Sequence, residues 1–364
     1  MKVFRRLPPP QARLDCALTI GNFDGVHLGH QALVGRLVAL ARAGGLASCV
    51  LTFEPHPREF FATTMPGARP APARISTLRD KLCALRALGV DRVCVAHFNA
   101  GLASMPPEAF AREVLLEGLQ ARRLLVGDDF RFGARRAGDL ALLERTAAGY
   151  GASVEALGTI AEDPGGDPTG APTDEPAGEP ATDAGPRPGI GTTPVPPPGR
   201  ISSSAVRAAL ERGDFDRVHA LLGRPYALSG RVVHGRKLGR TLGFPTLNLR
   251  FAHGRPALTG IFVVRVRGLD GDPGLPARDG VASLGTRPAV ESDGRYLLEV
   301  HVPRWQGDAY GKLLEVEFVH KLRSERPFAS LEALTAQIHL DVQHAHAHFQ
   351  ASSTAPASVA DRRT

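Results

Sequence analysis

The sequence predicts two folded units in succession: an α/β domain on a parallel, Rossmann-like sheet, then a six-stranded antiparallel β-barrel with a C-terminal helix. Three observations carry this. Apolar strand-like runs alternate with helical patterns from Cys16 to Ala148. Residues 20–30, I-G-N-F-D-G-V-H-L-G-H, place a glycine turn between the first long apolar run and the first helix. Beyond Leu222 the apolar period switches from helical to strand-like.

The 364 residues are enough for two cores of ordinary size. Hydrophobic residues make up 43% and charged residues 22%, the balance of a soluble globular chain. No apolar run approaches the roughly 20 residues of a membrane span, so no membrane partner is expected. Residues 1–10 are basic without an apolar stretch or a small-residue cleavage site, which points to the cytoplasm. Cys16, Cys49, Cys83 and Cys94 show no CxxC pairing and read as reduced core residues. The net charge of +7 comes with scattered arginines and no basic stripe interleaved with aromatics. The expected partners are therefore small nucleotides, not nucleic acid.

In chain order, Cys16–Ile20 is the first strand and Leu28–Ala43 the first helix, with Leu33, Leu37 and Leu40 on one stripe. A buried strand over 47–53 ends in Glu54-Pro55-His56-Pro57. Ser76 or Thr77 caps a helix reaching Leu88, and 90–98 is a strand. Pro107 opens a helix to Leu119, 124–126 is a short strand, and 139–148 is a helix. Such βα repeats put ligands outside the carboxyl ends of the strands. No G-x-x-x-x-G-K-[ST] loop occurs, which excludes a Walker-type NTPase.

The turn itself has phosphate-binding grammar. Gly21 and Gly25, flanking Asn22, Phe23 and Asp24, allow a tight turn and close approach, and a helix N-terminus points its N–H groups at it. His27 and His30, three apart, can each donate a hydrogen bond to a phosphate oxygen. A plain strand-to-helix turn with surface histidines is the alternative. Arg200-Ile201-Ser202-Ser203-Ser204-Ala205-Val206-Arg207 opens a later helix. Its serines read either as caps or, with Arg207, as an anion-facing end. Gly127-Asp128-Asp129-Phe130-Arg131-Phe132-Gly133 follows a strand on the same edge. Residues 161–198 hold seven acids, one base and almost no large apolar residue, the composition of a disordered insert.

In the second unit, strands are expected over 226–233, 244–249, 260–267, 281–284, 296–302 and 313–319. A closing amphipathic helix over 330–349 carries Leu331, Leu334, Ile338 and Val342, with a disordered tail from 351. A basic Gly-rich stretch containing Gly235, Lys237, Gly239 and Arg240 precedes Gly243-Phe244-Pro245-Thr246-Leu247-Asn248. Gly280-Val281-Ala282-Ser283-Leu284-Gly285-Thr286-Arg287-Pro288 follows, and Glu299 interrupts the apolar Leu298-Val300-Val302 strand.

These motifs resemble bacterial bifunctional riboflavin kinase/FAD synthetases: G-N-F-D-G-V-H-L-G-H is similar to the HxGH signature of nucleotidylyltransferases, and R-I-S-S-S-A-V-R to their ISSTxxR motif. G-R-T-L-G-F-P-T-L-N resembles riboflavin kinases. The resemblance implies an FMN adenylyltransferase domain at 1–222, holding the 161–198 insert, and a riboflavin kinase domain at 223–350. It implies ATP, riboflavin and FMN as substrates, FAD as product, and Mg²⁺ with ATP. By the same resemblance His27, His30 and Arg207 stabilise charge during adenylyl transfer. Residues 21–25, Arg200, Ser203 and Ser204 hold the nucleotide there. Asp129 and Phe132, with Thr286 and Arg287 in the second unit, contact flavin. Thr246 and Asn248 hold Mg²⁺, the glycines with Lys237 and Arg240 form a flap, and Glu299 is the base for the riboflavin 5′-hydroxyl. A monomer or transient oligomer is expected. Ser283 stands where the family has asparagine, and Pro303-Arg304-Trp305 replaces Asp-Phe. These departures motivate an alternative, a flavin- or nucleotide-binding regulator with one or both sites inactive.

Overall fold

A computed structural model describes residues 1–158, 201–235, 238–250, 254–272, 274–286 and 296–354 of the chain. The 161–198 insert, Arg200, Lys237 and Arg287 lie outside the described residues. β2 (Cys16–Ile20) is buried at all five positions. Its alternating side chains enter two different cores, Cys16, Leu18 and Ile20 on one face of the sheet and Ala17 on the other. Burial on both faces is why its sequence is apolar throughout instead of alternating.

The sheet has the order β1-β4-β3-β2-β5-β6, every pair parallel. Its strands are β1 (Lys2–Phe4), β2, β3 (Ala47–Glu54), β4 (Arg92–His97), β5 (Ala121–Gly127) and β6 (Ser153–Leu157). α1 (Leu28–Ala43) and α3 (Leu78–Ala87) cover one face through Val34, Leu37, Val38 and Leu85. The other face is covered by a π-helix (Phe110–Gly118) and α6 (Leu140–Ala148) through Phe110, Leu115, Leu143 and Ala147. From β2 the chain moves to β3 on one side and returns to β5 on the other. The carboxyl ends of β2 and β5 thus flank the point where the order reverses, where open α/β sheets take ligands.

The expected elements are present, with differences. β1, β6, α2 (Pro57–Thr64) and α4 (Ala100–Ser104) add to them. The helix expected from Pro107 is one α-turn, α5 (Pro107–Ala109), running on as the π-helix. Cys83 is exposed on α3, whereas Cys16, Cys49 and Cys94 are buried, so only three of the four cysteines are core residues.

The second unit is a closed barrel in the order β10-β11-β8-β7-β12-β9, every neighbouring pair antiparallel. The strands are β7 (Ala227–Val233), β8 (Thr246–Arg250), β9 (Gly260–Arg267), β10 (Arg278–Thr286), β11 (Tyr296–His301) and β12 (Leu313–Arg323). A short α9 (Leu238–Thr241) precedes β8. The closing helix α10 (Leu331–Thr354) packs Val342, Ala345 and Phe349 against Ile261, Val263 and Val281, and Arg323 clamps Asp341 at 2.7 Å. Leu331 is exposed, so the packed stripe lies nearer the C-terminal half of the helix than the expected one. The helix also continues to Thr354, past the point at which a disordered tail was expected.

Two helices, α7 (Ser203–Arg212) and α8 (Phe215–Leu222), join the units. Val206, Leu210 and Leu221 share one buried cluster with Phe262, Val316 and Phe318 of the barrel. Phe215 meets Phe262 edge-on at 6.1 Å and stacks on Phe318 at 6.4 Å. On the other side Leu222 O accepts from Gln31 Nε2 at 2.7 Å, and Arg224 donates to Gly25 O at 2.6 Å. Tyr226 Oη donates to Ile75 O at 2.7 Å, closing the same seam.

Candidate active sites

The Gly21–Gly25 turn is held by a carboxylate beneath it. Asp24, 3% exposed, accepts from the backbone N–H groups of Ile75 and Ser76 and from Arg207 Nη2 at 2.7 Å. Its oxygens are committed inward, so Asp24 builds the turn and does not face a ligand. Gly25 has φ +83°, and a Cβ there would stand 2.7 Å from Ile75 Cγ2. Phe23 is likewise buried, meeting the His30 ring edge-on with centroids 5.2 Å apart.

His27 caps α1, its Nδ1 accepting from the His30 N–H at 3.3 Å. An Nδ1 that accepts leaves the proton of a neutral ring on Nε2, as a donor. The two imidazoles stack with centroids 3.7 Å apart. Burial, then Arg207, lowers the His27 pKa to about 4. Burial, then His27 and Lys81, pulls His30 well below its ordinary value. Both are neutral at physiological pH. Asn22 Oδ1, Thr19 Oγ1 and His30 Nδ1 are buried with no hydrogen-bond partner among the described residues. Buried polar atoms are rarely left so, and three gathered at one strand end mark a place for a polar ligand.

The helix after the insert completes this end. Ser202 caps α7 through the Ala205 N–H, Ser203 Oγ donates to Asp24 O at 3.1 Å, and Ser204 is exposed. Arg207 is fixed by Asp24 and by Ala73 O, which accepts from its Nε at 2.6 Å. In the turn after β5, Asp129 is exposed at the same sheet edge. Phe132 is a core ring packed on Phe110 and stacked on Phe130 at 5.5 Å, so the half-buried Phe130 is the more accessible aromatic. Phe132 thereby backs the turn after β5 from the core side.

Several residues here were not foreseen. Arg74, 4% exposed, is clamped between Glu54 at 2.7 Å and Glu59 at 2.5 Å. His56 caps α2, and burial, then Arg74, brings its pKa to about 4. Lys81, 1% exposed, donates to Thr52 Oγ1 at 3.4 Å, and burial lowers its pKa to about 8. A signal existed for His56 and for Lys81, though not for Arg74: the Glu54-Pro55-His56-Pro57 run ends a strand at the ligand edge. Lys81 occupies the i+3 place of the Leu78, Leu82, Leu85 stripe, which faces the sheet.

In the barrel, strand register assembles the second site. Glu299 on β11 lies opposite Asn248 on β8 and Ser283 on β10, and Thr246 lies opposite His301. Residues directly opposite in antiparallel neighbours share a face, so Ser283, Glu299 and Asn248 form a row across three strands. A Cβ on Gly239 would stand 3.2 Å from Thr246 Oγ1, and one on Gly235 2.7 Å from Asn248 Oδ1. Both oxygens therefore border a cradle that only glycine leaves open. Arg240 on α9 and Thr286 at the end of β10 are exposed. Glu325 packs against Gly285 and accepts from Ser283; burial, with the charge of nearby Glu299, raises its pKa against the lowering pull of Arg323 and of the Ser283 hydrogen bond. Trp305, within the Pro303-Arg304-Trp305 departure, packs with Leu247 against the barrel cluster and donates to Asp270 Oδ1 at 3.4 Å. Among the described residues no group of three or more His, Cys, Asp or Glu forms a metal site, and no helix is long and apolar enough to cross a membrane.

Residues 10–165 match the family model described as FAD synthetase, and residues 222–349 that described as riboflavin kinase. A bifunctional riboflavin kinase/FMN adenylyltransferase of Pseudomonas fluorescens is 42% identical, the match covering 91% of this chain and 92% of that one. A protein of the same description from Escherichia coli K12 is 40% identical, with 92% and 93% covered. A solved structure described as a macrolide-efflux protein from Streptococcus pneumoniae superposes with a TM-score of 0.62 at 23% identity, over 94% of this chain and 98% of that one. At that identity the likeness speaks for the fold alone.

Proposed function

Because the chain belongs to the bifunctional riboflavin kinase/FMN adenylyltransferase family, we propose that it phosphorylates riboflavin to FMN with ATP and adenylylates FMN to FAD, releasing pyrophosphate. The observation that carries this is the coexistence of two intact sites: the stacked neutral His27–His30 pair at a ligand-seeking strand end, and Glu299 in register with Asn248.

In the barrel, Glu299 takes the proton of the riboflavin 5′-hydroxyl as the hydroxyl oxygen attacks the ATP γ-phosphate, whose bond to the bridging oxygen breaks to release ADP. Thr246 and Asn248 offer neutral oxygens on a glycine-kept cradle, a donor set that suits Mg²⁺ when ATP phosphates complete its shell. The ion, when bound, neutralises phosphate charge. The rest is positioning: the Gly235 and Gly239 backbones, with Lys237 and Arg240, close over the phosphates.

In the N-terminal unit, the FMN phosphate oxygen attacks the ATP α-phosphate in line, and the bond to the leaving pyrophosphate breaks. His27 Nε2–H and His30 donate to the phosphoryl oxygens without adding charge. Arg207, held in place by Asp24, supplies the positive charge as pyrophosphate departs, with Ser203 and Ser204 beside it. Arg200 and the 21–25 backbone cradle the nucleotide, and Asp129 borders the flavin. Incubating the purified chain with riboflavin and MgATP, then separating the flavins, tests the whole reading. Both FMN and FAD are expected; riboflavin recovered unchanged would refute it.

A further inference from the structure

A cleft of about 570 Å³ lies between α3, the β1 edge and the barrel strands β7 and β8. We propose that it is a binding site for a polyphosphate anion, distinct from both catalytic sites. Its walls carry Arg5, Arg79, Arg86, Arg231 and Arg250, contributed by both units of the protein. Arg79 and Arg86 are seven apart on α3 and so share one helical face, two turns apart. Opposite them stand Arg231 on β7 and Arg250 on β8.

None of these five arginines forms an ion pair with a carboxylate among the described residues. Arg231 instead donates to the Gly311 carbonyl at 2.7 Å. The single carboxylate of the lining, Glu54, is already bound by Arg74 through contacts of 2.7 and 3.2 Å. Five arginines thus line one concavity with no carboxylate paired to them among the described residues, an arrangement that a multiply charged anion relieves. Guanidinium forks match phosphate oxygens in geometry as well as charge. The lining has no aromatic ring on which a base could stack. The ligand chemistry read here is therefore the phosphate chain itself, whether free or carried by a nucleotide.

The cleft is separate from the adenylyl-transfer turn but shares a wall with it. Ser76 lines the cleft, and its hydroxyl accepts from the Gly25 N–H at 3.1 Å. An anion in the cleft would join α3 to the barrel across the seam where Ser229 meets Asp80.

The test is calorimetric titration of the full chain with inorganic tripolyphosphate, in wild type, R79Q/R231Q and His30→Ala. Wild type is expected to show a binding event that survives His30→Ala and weakens about tenfold in R79Q/R231Q, the size expected for two partly exposed charge contacts. Riboflavin phosphorylation by R79Q/R231Q is expected to stay within about twofold of wild type, which certifies its fold. R79K/R231K should recover part of the affinity, and R86Q/R250Q repeats the test with the other arginines. Titrations with pyrophosphate and with ATP distinguish the free from the nucleotide-borne chain: a parallel loss for all three probes supports recognition of phosphate. Isotherms of both glutamine variants superimposing on wild type, or a loss confined to ATP, would overturn the proposal.

Discussion

Asp24 and Arg207 meet at 2.7 Å across 183 residues of sequence, and the contact fastens the α7 N-terminus to the glycine turn. Asp24 also receives two backbone N–H groups, so the turn, the 73–76 segment and α7 converge on one carboxylate.

Asp24→Asn keeps an acceptor for the N–H groups but removes the charge that holds Arg207. The loss of a charged hydrogen bond is expected to cost about 1.5–3 kcal/mol of stability, read by urea unfolding, and to depress FAD formation more than riboflavin phosphorylation.

His30→Ala removes one donor to the transferring phosphoryl group. FAD formation from FMN should fall on the order of 10²–10³, while FMN formation from riboflavin stays near wild type. A fall of less than about tenfold, measured with saturating FMN and MgATP, would remove His30 from the chemistry.

His27 should govern acid stability with a definite sign. Its pKa falls from 6.5 to about 4 on folding, so the unfolded chain binds the proton first as pH drops. The stability in question is fully present above about pH 6.5 and is lost as pH falls toward 4, on the order of 3 kcal/mol in all. Urea unfolding at a series of pH values should show a shallower acid slope for His27→Asn than for wild type. A slope unchanged by the substitution contradicts the burial argument.

Glu299→Gln preserves shape and removes the base, so riboflavin phosphorylation should fall by about 10²–10⁴ with little change in KM for riboflavin. The same variant given FMN and MgATP should make FAD at nearly the wild-type rate.

Gly235→Ala acts on the same site without touching its acid. The new Cβ would collide with the Asn248 amide, and riboflavin phosphorylation should drop at least about tenfold because the cradle closes. Retention of wild-type turnover would show that the loop moves aside.

Much of this architecture was legible in the sequence because it rests on local periodicity. β2, α1 and the barrel strands follow from runs of apolar residues at a fixed spacing. β1 has only three residues and gains its place by pairing with β4, a partner far along the chain. The π-register of Phe110–Gly118 leaves the apolar pattern nearly helical, so composition does not distinguish it from an α-helix. At the sites, glycines and histidines announced themselves by motif. What the motifs could not give is who stands behind them. Asp24 was counted among the groups facing the nucleotide, yet its neighbours turn it inward. Phe132 was expected at the flavin, yet Phe110 and Phe130 enclose it. Ser283 reads as a departure in the sequence, yet Glu325, two residues beyond β12, accepts a hydrogen bond from it.

The placement of α7 and α8 bears on what a cut chain would do. These helices follow residues 159–200 in sequence, yet they bury Val206, Leu210 and Leu221 with the barrel while also gripping the first glycine turn. A single proteolytic break anywhere between Leu157 and Ile201 would therefore leave two fragments that copurify. The C-terminal fragment would carry a ready-made docking hairpin, and the N-terminal one would arrive with its glycine turn lacking Arg207 until the two reunite.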